Sequence, residues 1–165
     1  ASKVAADRYA YAYWNTYHLP ITIIRPFNFY GPRHIYDVIP KFIRMVLNGQ
    51  SPTIHGTGEQ SRDLTYVSDI VDAFLIMGSH PKAIGETVNF GTGKDVKIKD
   101  IAGKIIAISG SSLKPVYIKE RTSEVQRLTC NASKAKRLFG WEAKVSIDEG
   151  LSLISNGARK IGFKE

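Results

Sequence analysis

The clearest indication of the fold class lies in residues 21–33, which read ITIIRPFNFYGPR. The first four residues are all β-branched, a pattern typical of a strand buried on both faces in a parallel sheet. Arg25 and Pro26 close this strand, and an irregular aromatic loop is expected over residues 27–33. Because α/β proteins place ligands at the carboxyl ends of strands, the segment predicts both a sheet and a binding site.

Helices and strands alternate on both sides of this segment, as apolar spacing and short β-branched runs indicate. The helices are expected at residues 2–17, 38–47, from 68 or 69 onward, 99–109, from 131 to 140, and from 146 onward. The strands are expected at residues 21–24, 53–55, 64–67, 86–90 and 115–118. Ser68 or Asp69 is expected to cap the third helix, which would bury a stripe of four residues: Ile70, Ala73, Phe74 and Met77. The alternation predicts an α/β or α+β protein.

The composition is that of a globular domain, with 43% hydrophobic, 23% charged and 10% aromatic residues among 165. No apolar run approaches the ~18–20 residues of a membrane span, and no signal sequence is present, so no membrane partner is expected. Cys130 is the only cysteine, which excludes an intramolecular disulfide and argues against a cysteine zinc site. No metal is expected, and a reducing, cytoplasmic location fits best.

The start of the chain is unusual for a natural domain. It opens with Ala1-Ser2-Lys3 and no methionine, inside a predicted helix. We therefore expect the sequence to be a fragment of a larger protein.

The charge is +8, from 23 basic and 15 acidic residues, and it is unevenly distributed. Residues 1–85 carry +2 and residues 86–165 carry +6. A basic half is compatible with nucleic acid, an anionic membrane surface, an anionic small ligand or a solvated lysine-rich face. The basic residues are scattered without interleaved aromatic residues, and no nucleic-acid motif is present, which disfavours a nucleic-acid-binding domain.

Three segments are more polar than a core requires: residues 25–33, 60–67 and 120–125. In the first, the Asn28 amide can donate and accept hydrogen bonds. In the second, Arg62 follows a glycine-rich turn, where a guanidinium can grip a phosphate through two parallel charge-assisted bonds.

In the third segment, Arg121 is a second candidate anion ligand, and Glu124 can accept hydrogen bonds from sugar hydroxyls. Each segment also fits a plain structural role. The first can be a turn, the second a surface ion pair of Arg62 with Asp63 or Glu59, and the third a solvated charged loop.

In this order the segments resemble the C-terminal part of the extended short-chain dehydrogenases/reductases that act on nucleotide sugars, the NAD-dependent epimerases and dehydratases. The resemblance covers nearly the whole chain and rests on residues 1–3, 25–33, 62–69, 89–93, 121–125 and 132–141. It implies the C-terminal part of a Rossmann-type sheet plus a smaller α/β substrate-binding domain. Residues 1–25 and 63–92 would belong to the NAD-binding Rossmann domain, and residues 26–62 and 93–165 to the substrate domain.

The family's catalytic signature is Tyr-x-x-x-Lys, and Ala1-Ser2-Lys3 matches its end. The tyrosine would lie two positions before residue 1, and no G-x-G-x-x-G occurs in the 165 residues. By resemblance, the tyrosine takes a proton from a sugar hydroxyl as hydride passes to NAD, which gives a 4-keto sugar. Lys3 would be catalytic, holding the nicotinamide ribose and favouring the tyrosinate. NAD, or alternatively NADP, would be bound mainly by the absent N-terminal half.

The resemblance also implies roles in binding. Pro26 and Phe27 would lie on the nicotinamide side, with Lys3, as cofactor-binding residues. The substrate-binding residues would be Asn28, Thr53, His55, Arg62, Arg121 and Glu124. The two arginines would flank the diphosphate of a UDP- or dTDP-linked sugar, the segment from Ser51 to His55 would border the base, and Glu124 would approach the ribose.

Some positions depart from the family pattern: Glu124 replaces an aspartate, and Thr122-Ser123 replaces a usual Pro-Gly pair. The full-length enzyme is expected to be a homodimer, and the chain alone is expected to be inactive. The alternatives are a non-catalytic nucleotide-sugar binding module and a basic nucleic-acid-binding domain.

Overall fold

The computed structural model describes the backbone of residues 1–161 and the side chains of residues 1–157; residues 162–165, the end of the second predicted domain, lie outside the described residues. The helices are α1 (Ser2–Tyr17), α2 (Val38–Leu47), α3 (Val67–Ser79), α4 (Ile98–Ile108), α5 (Ser133–Phe139) and α6 (Ile147–Ile161), with a 3-10 turn at Pro81–Ala83. The strands are β1 (Ile23–Pro26), β2 (Phe29–Tyr30), β3 (Thr53–His55), β4 (Ser61–Asp63), β5 (Thr65–Tyr66), β6 (Thr87–Phe90), β7 (Asp95–Lys97), β8 (Val116–Ile118) and β9 (Arg127–Leu128).

The strands are short and pair mostly in parallel. β1 pairs with β6, β2 with β5 and β3 with β8, each in parallel. β4 lies between β7, which is antiparallel to it, and β9, which is parallel to it. Parallel pairs need crossover connections, which the helices supply, so the predicted α/β class is confirmed.

Two hydrophobic cores hold these elements together. The larger core joins α2, α4 and α6, with Ile43, Ile105 and Leu151 among its fully buried side chains. The smaller core lies between α3, β6 and the end of α5, where the Phe90 and Trp141 rings meet edge to face at 4.9 Å. The 63–92 segment contributes to both cores, so the boundaries of the two expected domains stay a prediction.

Several short strands differ from the sequence-based expectation. Residues 27–33, expected to be irregular, contain β2. The strand expected at 64–67 is present in shorter form as β5, and an additional strand, β4, precedes it. β7 and β9 were not predicted. Strands of two or three residues are too short to show an alternation, and their partners lie far away in the sequence.

The start of α3 also differs from the prediction. Ser68 and Asp69 do not cap the helix, which begins after Tyr66 without a side-chain cap. Instead the buried Asp69 carboxylate accepts hydrogen bonds from the backbone N–H groups of Lys144 and Val145, at 3.1 and 3.0 Å. Phe74, expected in the core, is 50% exposed, because the buried stripe of α3 is narrower than the apolar pattern suggests.

Helix α1 has the predicted bounds but buries none of its residues. It is attached by an ion pair between Asp7 and Arg25 and by Trp14, which covers Gly85. Gly85 has φ +78°, and a Cβ there would lie 2.4 Å from the Trp14 ring, so glycine is required on both counts. Within residues 1–161, neither α1 nor any other helix is long and apolar enough to cross a membrane.

Among the residues that the structure describes, the buried Asp63 carboxylate accepts four hydrogen bonds, and none of the residue is exposed. One oxygen accepts from the Thr92 N–H at 2.9 Å and the Thr92 hydroxyl at 2.7 Å. The other accepts from the N–H groups of Gly93 at 2.9 Å and Cys130 at 3.0 Å. Asp63 therefore joins β4 to the turn after β6 and to the loop before α5.

Replacing Asp63 by alanine should lower the free energy of unfolding by about 3–5 kcal/mol, because four donors, from part-buried to buried, lose an acceptor that is itself fully buried. Asp63→Asn should cost less, since one amide oxygen still accepts. Urea denaturation followed by circular dichroism measures both changes. The matched control is Asp72→Asn, an exposed carboxylate 3.7 Å from Lys144, which should change stability by no more than about 1 kcal/mol. Equal losses for Asp63 and Asp72 would show that Asp63 does not fasten the fold.

Candidate functional site

A cleft of about 420 Å³ opens between β2, the start of α2, strands β3 and β4, and residues 119–126. All six residues that the sequence predicted to bind substrate line it, namely Asn28, Thr53, His55, Arg62, Arg121 and Glu124. They come from four separate segments of the chain, so their convergence is a property of the fold. Their individual roles stay predictions.

One wall of the cleft is strand β3. Side chains alternate along a strand, so Thr53 and His55 share one face while Ile54, 1% exposed, reaches the core. The His55 Nδ1 lies 3.2 Å from the Lys119 carbonyl oxygen. The turn after β3 is fixed by Gln60, whose Nε2 donates to the His55 carbonyl at 2.8 Å.

Arg62 lies on β4 between two buried residues, Ser61 and Asp63, and the strand alternation turns its side chain to the cleft. Its Nη1 donates to the carbonyl oxygens of Ser61 at 2.8 Å and Val125 at 2.7 Å. Its Nη2 lies 3.6 Å from the Glu124 Oε1. Arg62 is thus held in place through Nη1, while Nη2 makes only this long contact.

The surface ion pair that was the alternative role for Arg62 is not formed. Asp63 is buried and serves as the acceptor described above, and Glu59 pairs instead with Lys97 and Lys99. Hydrogen bonds from these two lysines lower the pKa of Glu59 to about 2. The Arg62 guanidinium therefore belongs to the cleft, where its ion pair among the described residues is with Glu124.

Arg121 is exposed and, among the residues that the structure describes, forms no hydrogen bond or ion pair. It lines the same cleft as Arg62. Guanidinium groups bind phosphate oxygens through paired, charge-assisted hydrogen bonds. Two of them on one cleft, one anchored and one without a partner, form a site that suits an anion with more than one charge.

The cleft also contains residues that the sequence did not single out as ligands: His34, Asp37, Lys41 and Gln60. The His34 Nε2 lies 3.3 Å from the Asp37 carboxylate, at the point where α2 begins. A helix start presents unsatisfied N–H groups that favour anions. The sequence contained a signal for this part of the site, because the predicted helix at 38–47 begins only a few residues after the polar segment 25–33.

Three predicted residues do not line the cleft. Lys3 is exposed on α1. Pro26 ends β1, and the Phe27 N–H donates to the Phe90 carbonyl at 2.8 Å, just beyond the last residue pair of β1 and β6. Pro26 and Phe27 lie at the carboxyl end of the parallel β1–β6 pair. The cofactor contacts expected of them and of Lys3 stay a prediction.

A second depression, next to Gly91–Gly93 and Cys130, shows no comparable chemistry. Cys130 is 5% exposed, and burial, followed by the charge of Asp63, raises the pKa of its thiol to about 12. A thiol of this kind is not a nucleophile at neutral pH. Within the described part of the chain, no three His, Cys, Asp or Glu side chains are grouped to hold a metal ion.

Comparison with known proteins identifies relatives of this arrangement. A family model described as GDP-mannose 4,6 dehydratase matches residues 1–154. The dTDP-D-glucose 4,6-dehydratase of Bos taurus is 34% identical over 159 residues, covering 92% of this chain and 44% of the relative.

Solved structures agree with these matches. A UDP-glucose 4-epimerase from Thermotoga maritima, solved with UDP-glucose, has a TM-score of 0.90 and 34% identity, covering 96% of this chain and 52% of that one. A dTDP-glucose 4,6-dehydratase from Bacillus anthracis, solved with NAD, has a TM-score of 0.89 and 29% identity, covering 98% and 51%. The chain spans about half the length of the relatives it matches.

The environment of Cys130 predicts that the native chain resists thiol reagents. At pH 8 a pKa of about 12 leaves very little thiolate, so labelling by Ellman's reagent should be at least about a hundredfold slower than in the unfolded chain. The rate is measured by absorbance with and without concentrated guanidinium. Similar rates in the two states would contradict the buried placement of Cys130.

Proposed function

Because this chain belongs to the extended short-chain dehydrogenase/reductase family, in the group described as GDP-mannose 4,6 dehydratases, we propose that its cleft binds the diphosphate and nucleoside of a nucleotide sugar. The observation that carries the proposal is the convergence of Arg62 and Arg121 on one cleft. A diphosphate carries two adjacent anionic groups, and two guanidinium groups supply matching charge and paired donors. The start of α2 adds favourable backbone donors on the same side.

The remaining cleft residues suit the other parts of such a ligand. Thr53 and His55 share one face of β3 and would border the base. Asn28 offers an amide for the sugar or the diphosphate, and Glu124 offers a carboxylate for the ribose hydroxyls. UDP- and dTDP-linked sugars are the proposed substrates, in line with the UDP-glucose present in the Thermotoga epimerase structure.

The whole protein is proposed to be an NAD-dependent epimerase or dehydratase that acts through a 4-keto sugar. When bound, NAD supplies the hydride-transfer chemistry. Lys3 is exposed on α1, and Pro26 and Phe27 lie at the carboxyl end of β1, where α/β sheets hold dinucleotides. These three residues fit one edge of the cofactor, and the glycine-rich loop that would hold its diphosphate is not part of this chain. Lys3 would orient the nicotinamide ribose and stabilise a neighbouring tyrosinate.

The surface of the described residues supports a larger assembly. β1 and β6 form a two-stranded parallel sheet, whereas parallel sheets normally have more strands and are covered by helices. Tyr9, Tyr13 and Tyr17 are 70%, 50% and 65% exposed on α1. We propose that residues 1–25 and 63–92 complete a Rossmann domain with a further segment of the protein. Part of the α1 face would meet a second copy in a homodimer.

A second candidate function is a nucleotide-sugar binding module without catalysis. The observation that favours it is that all six residues expected to bind the nucleotide sugar line one cleft within this chain. Both functions predict binding, and only the first predicts turnover by the longer protein.

The chain should bind UDP or dTDP, and Arg62→Ala or Arg121→Ala should each weaken this binding more than about tenfold. Each substitution removes charge-assisted bonds to phosphate of about 1.5–3 kcal/mol. Isothermal titration of UDP, dTDP and GDP measures the affinities and ranks the bases. Arg44→Ala is the matched control, because Arg44 is an exposed arginine of α2 that does not line the cleft. Unchanged affinity in both cleft variants, or no binding of any of the three nucleotides, would overturn the proposed site.

The 165-residue chain alone should not convert UDP-glucose or dTDP-glucose in the presence of NAD, because the general base and most of the cofactor site are not in it. Chromatography of the sugar nucleotides after prolonged incubation detects any product. The comparison is a longer protein that includes the Tyr-x-x-x-Lys segment, which should turn over. Turnover by the short chain contradicts this prediction, and binding without turnover by the longer protein favours the binding module.

A further inference from the structure

Residues 119–126, called the strap below, carry Arg121 and Glu124 along one side of the cleft. Every residue of the strap except Glu124 is exposed, so no apolar packing holds the segment down. Its position over the cleft is therefore set by the attachments at its two ends and by the contacts of Arg62 with the Val125 carbonyl and the Glu124 carboxylate.

The first end is attached to β3. Strand β8 pairs with β3 over three residues, the Gly56 N–H donates to the Ile118 carbonyl at 2.9 Å, and the His55 ring meets the Lys119 carbonyl. This end is continuous with a strand whose central residue, Ile54, is buried in the larger core. The first end of the strap is therefore firmly attached to the core.

The second end is attached less firmly by the backbone. The Ser61 N–H donates to the Gln126 carbonyl at 2.9 Å, and β9 then pairs with β4 over only two residues. Both residues of β9 are exposed, and β9 lies at the edge of its sheet. A two-residue edge strand without buried side chains contributes little stability of its own.

The Asp95 side chain provides further hydrogen bonds that attach this second end of the strap. It lies on β7, on the other side of β4 from β9, and its carboxylate accepts from the Ser61 hydroxyl on β4. It also accepts from the Arg127 Nε at 3.2 Å and Nη2 at 2.9 Å, and from the Thr129 hydroxyl at 3.0 Å. One side chain thus ties all three strands of the sheet and both sides of Leu128.

The electrostatics agree with this role. Hydrogen bonds from Arg127 and then from Ser61 hold the pKa of the Asp95 carboxyl well below its usual range, so the group stays ionised near neutral pH. The Arg127 side chain is 72% exposed, and an exposed ion pair alone contributes little. The attachment of β9 therefore depends on several donors sharing the Asp95 carboxylate, more than on the single ion pair with Arg127.

We infer that Asp95 is a positioning residue for the cleft: by holding β9 against β4 it sets where the strap lies, and hence where Arg121 and Glu124 meet a bound nucleoside diphosphate. The ligand in this statement rests on the proposed function, whereas the fixing of the strap does not. Asp95 itself does not line the cleft and touches no ligand.

Two measurements on Asp95→Asn test the inference, with UDP as the probe. Titration should show UDP affinity reduced by roughly three- to tenfold, since Arg121 and Glu124 lose their fixed position. Brief trypsin digestion with mass spectrometry should show cleavage after Lys119 and Arg121 several-fold faster, since the strap opens more often. Asp148→Asn is the matched control, because it also removes a carboxylate that forms an ion pair, in this case with Lys104, and Asp148 lies away from the cleft. It should change neither quantity.

A double-mutant comparison separates positioning from general loss of stability. In an Arg121→Ala background, Asp95→Asn should lower UDP affinity by a clearly smaller factor than in the wild type, because only Glu124 is left for it to position. An equal loss in both backgrounds, without faster strap cleavage, would show a merely structural role and overturn the inference. If Asp95→Asn folds poorly, Arg127→Ala and Thr129→Val each remove the bonds of one donor side chain to Asp95. Each should shift both measurements in the same direction, and no shift in either variant overturns the inference.

The two proposals fail in different ways. If the wild-type chain binds no nucleotide, the proposed function is wrong, and the cleavage rates alone decide whether Asp95 fixes the strap. If the wild type binds UDP and Asp95→Asn matches it in affinity and in cleavage, the proposed function stands and the positioning role is wrong.

Discussion

The buried carboxylate of Asp63 is the interaction on which the rest of this structure depends. Four donors from the turn after β6 and the loop before α5 converge on it, so a single side chain brings three remote segments together. The next residue back, Arg62, turns to the opposite face of the same strand and enters the cleft. The alternation of β4 therefore links the stability of the fold to the orientation of a key ligand candidate.

Short strands explain why such side-chain bonds matter here. All nine strands of the described residues have two to four residues, so backbone ladders alone give little cooperativity. Asp69 repeats the arrangement of Asp63 by accepting from the backbone of residues 144 and 145, which fastens the loop before α6 to α3. Buried carboxylates with full sets of donors satisfy backbone groups that the short ladders leave unpaired.

The helices were predictable from the sequence, and much of the site was predictable only through the resemblance. The apolar spacing of residues 38–47 gives α2 its observed bounds, and the helix expected from residue 146 is observed as α6, at whose start the Glu149 N–H donates to the Ser146 hydroxyl. The family expected from the motifs is confirmed. The pairing of β9 with β4 and the burial of Asp63 were not predictable, because both depend on contacts between residues more than 60 positions apart. His34 and Asp37 were missed because neither belongs to a motif that was read as a ligand.

The ion pairs distinguish the basic residues that have an acidic partner from those that do not. Many cations of the more basic half are paired on the surface with carboxylates, such as Lys134 with Glu86 and Lys136 with Glu142. Such pairs lower the positive potential where they lie. Arg121 has no such partner among the described residues and lies at the cleft beside Arg62. An anion small enough to enter the cleft therefore meets an unpaired guanidinium, which favours a diphosphate over a polyanionic strand.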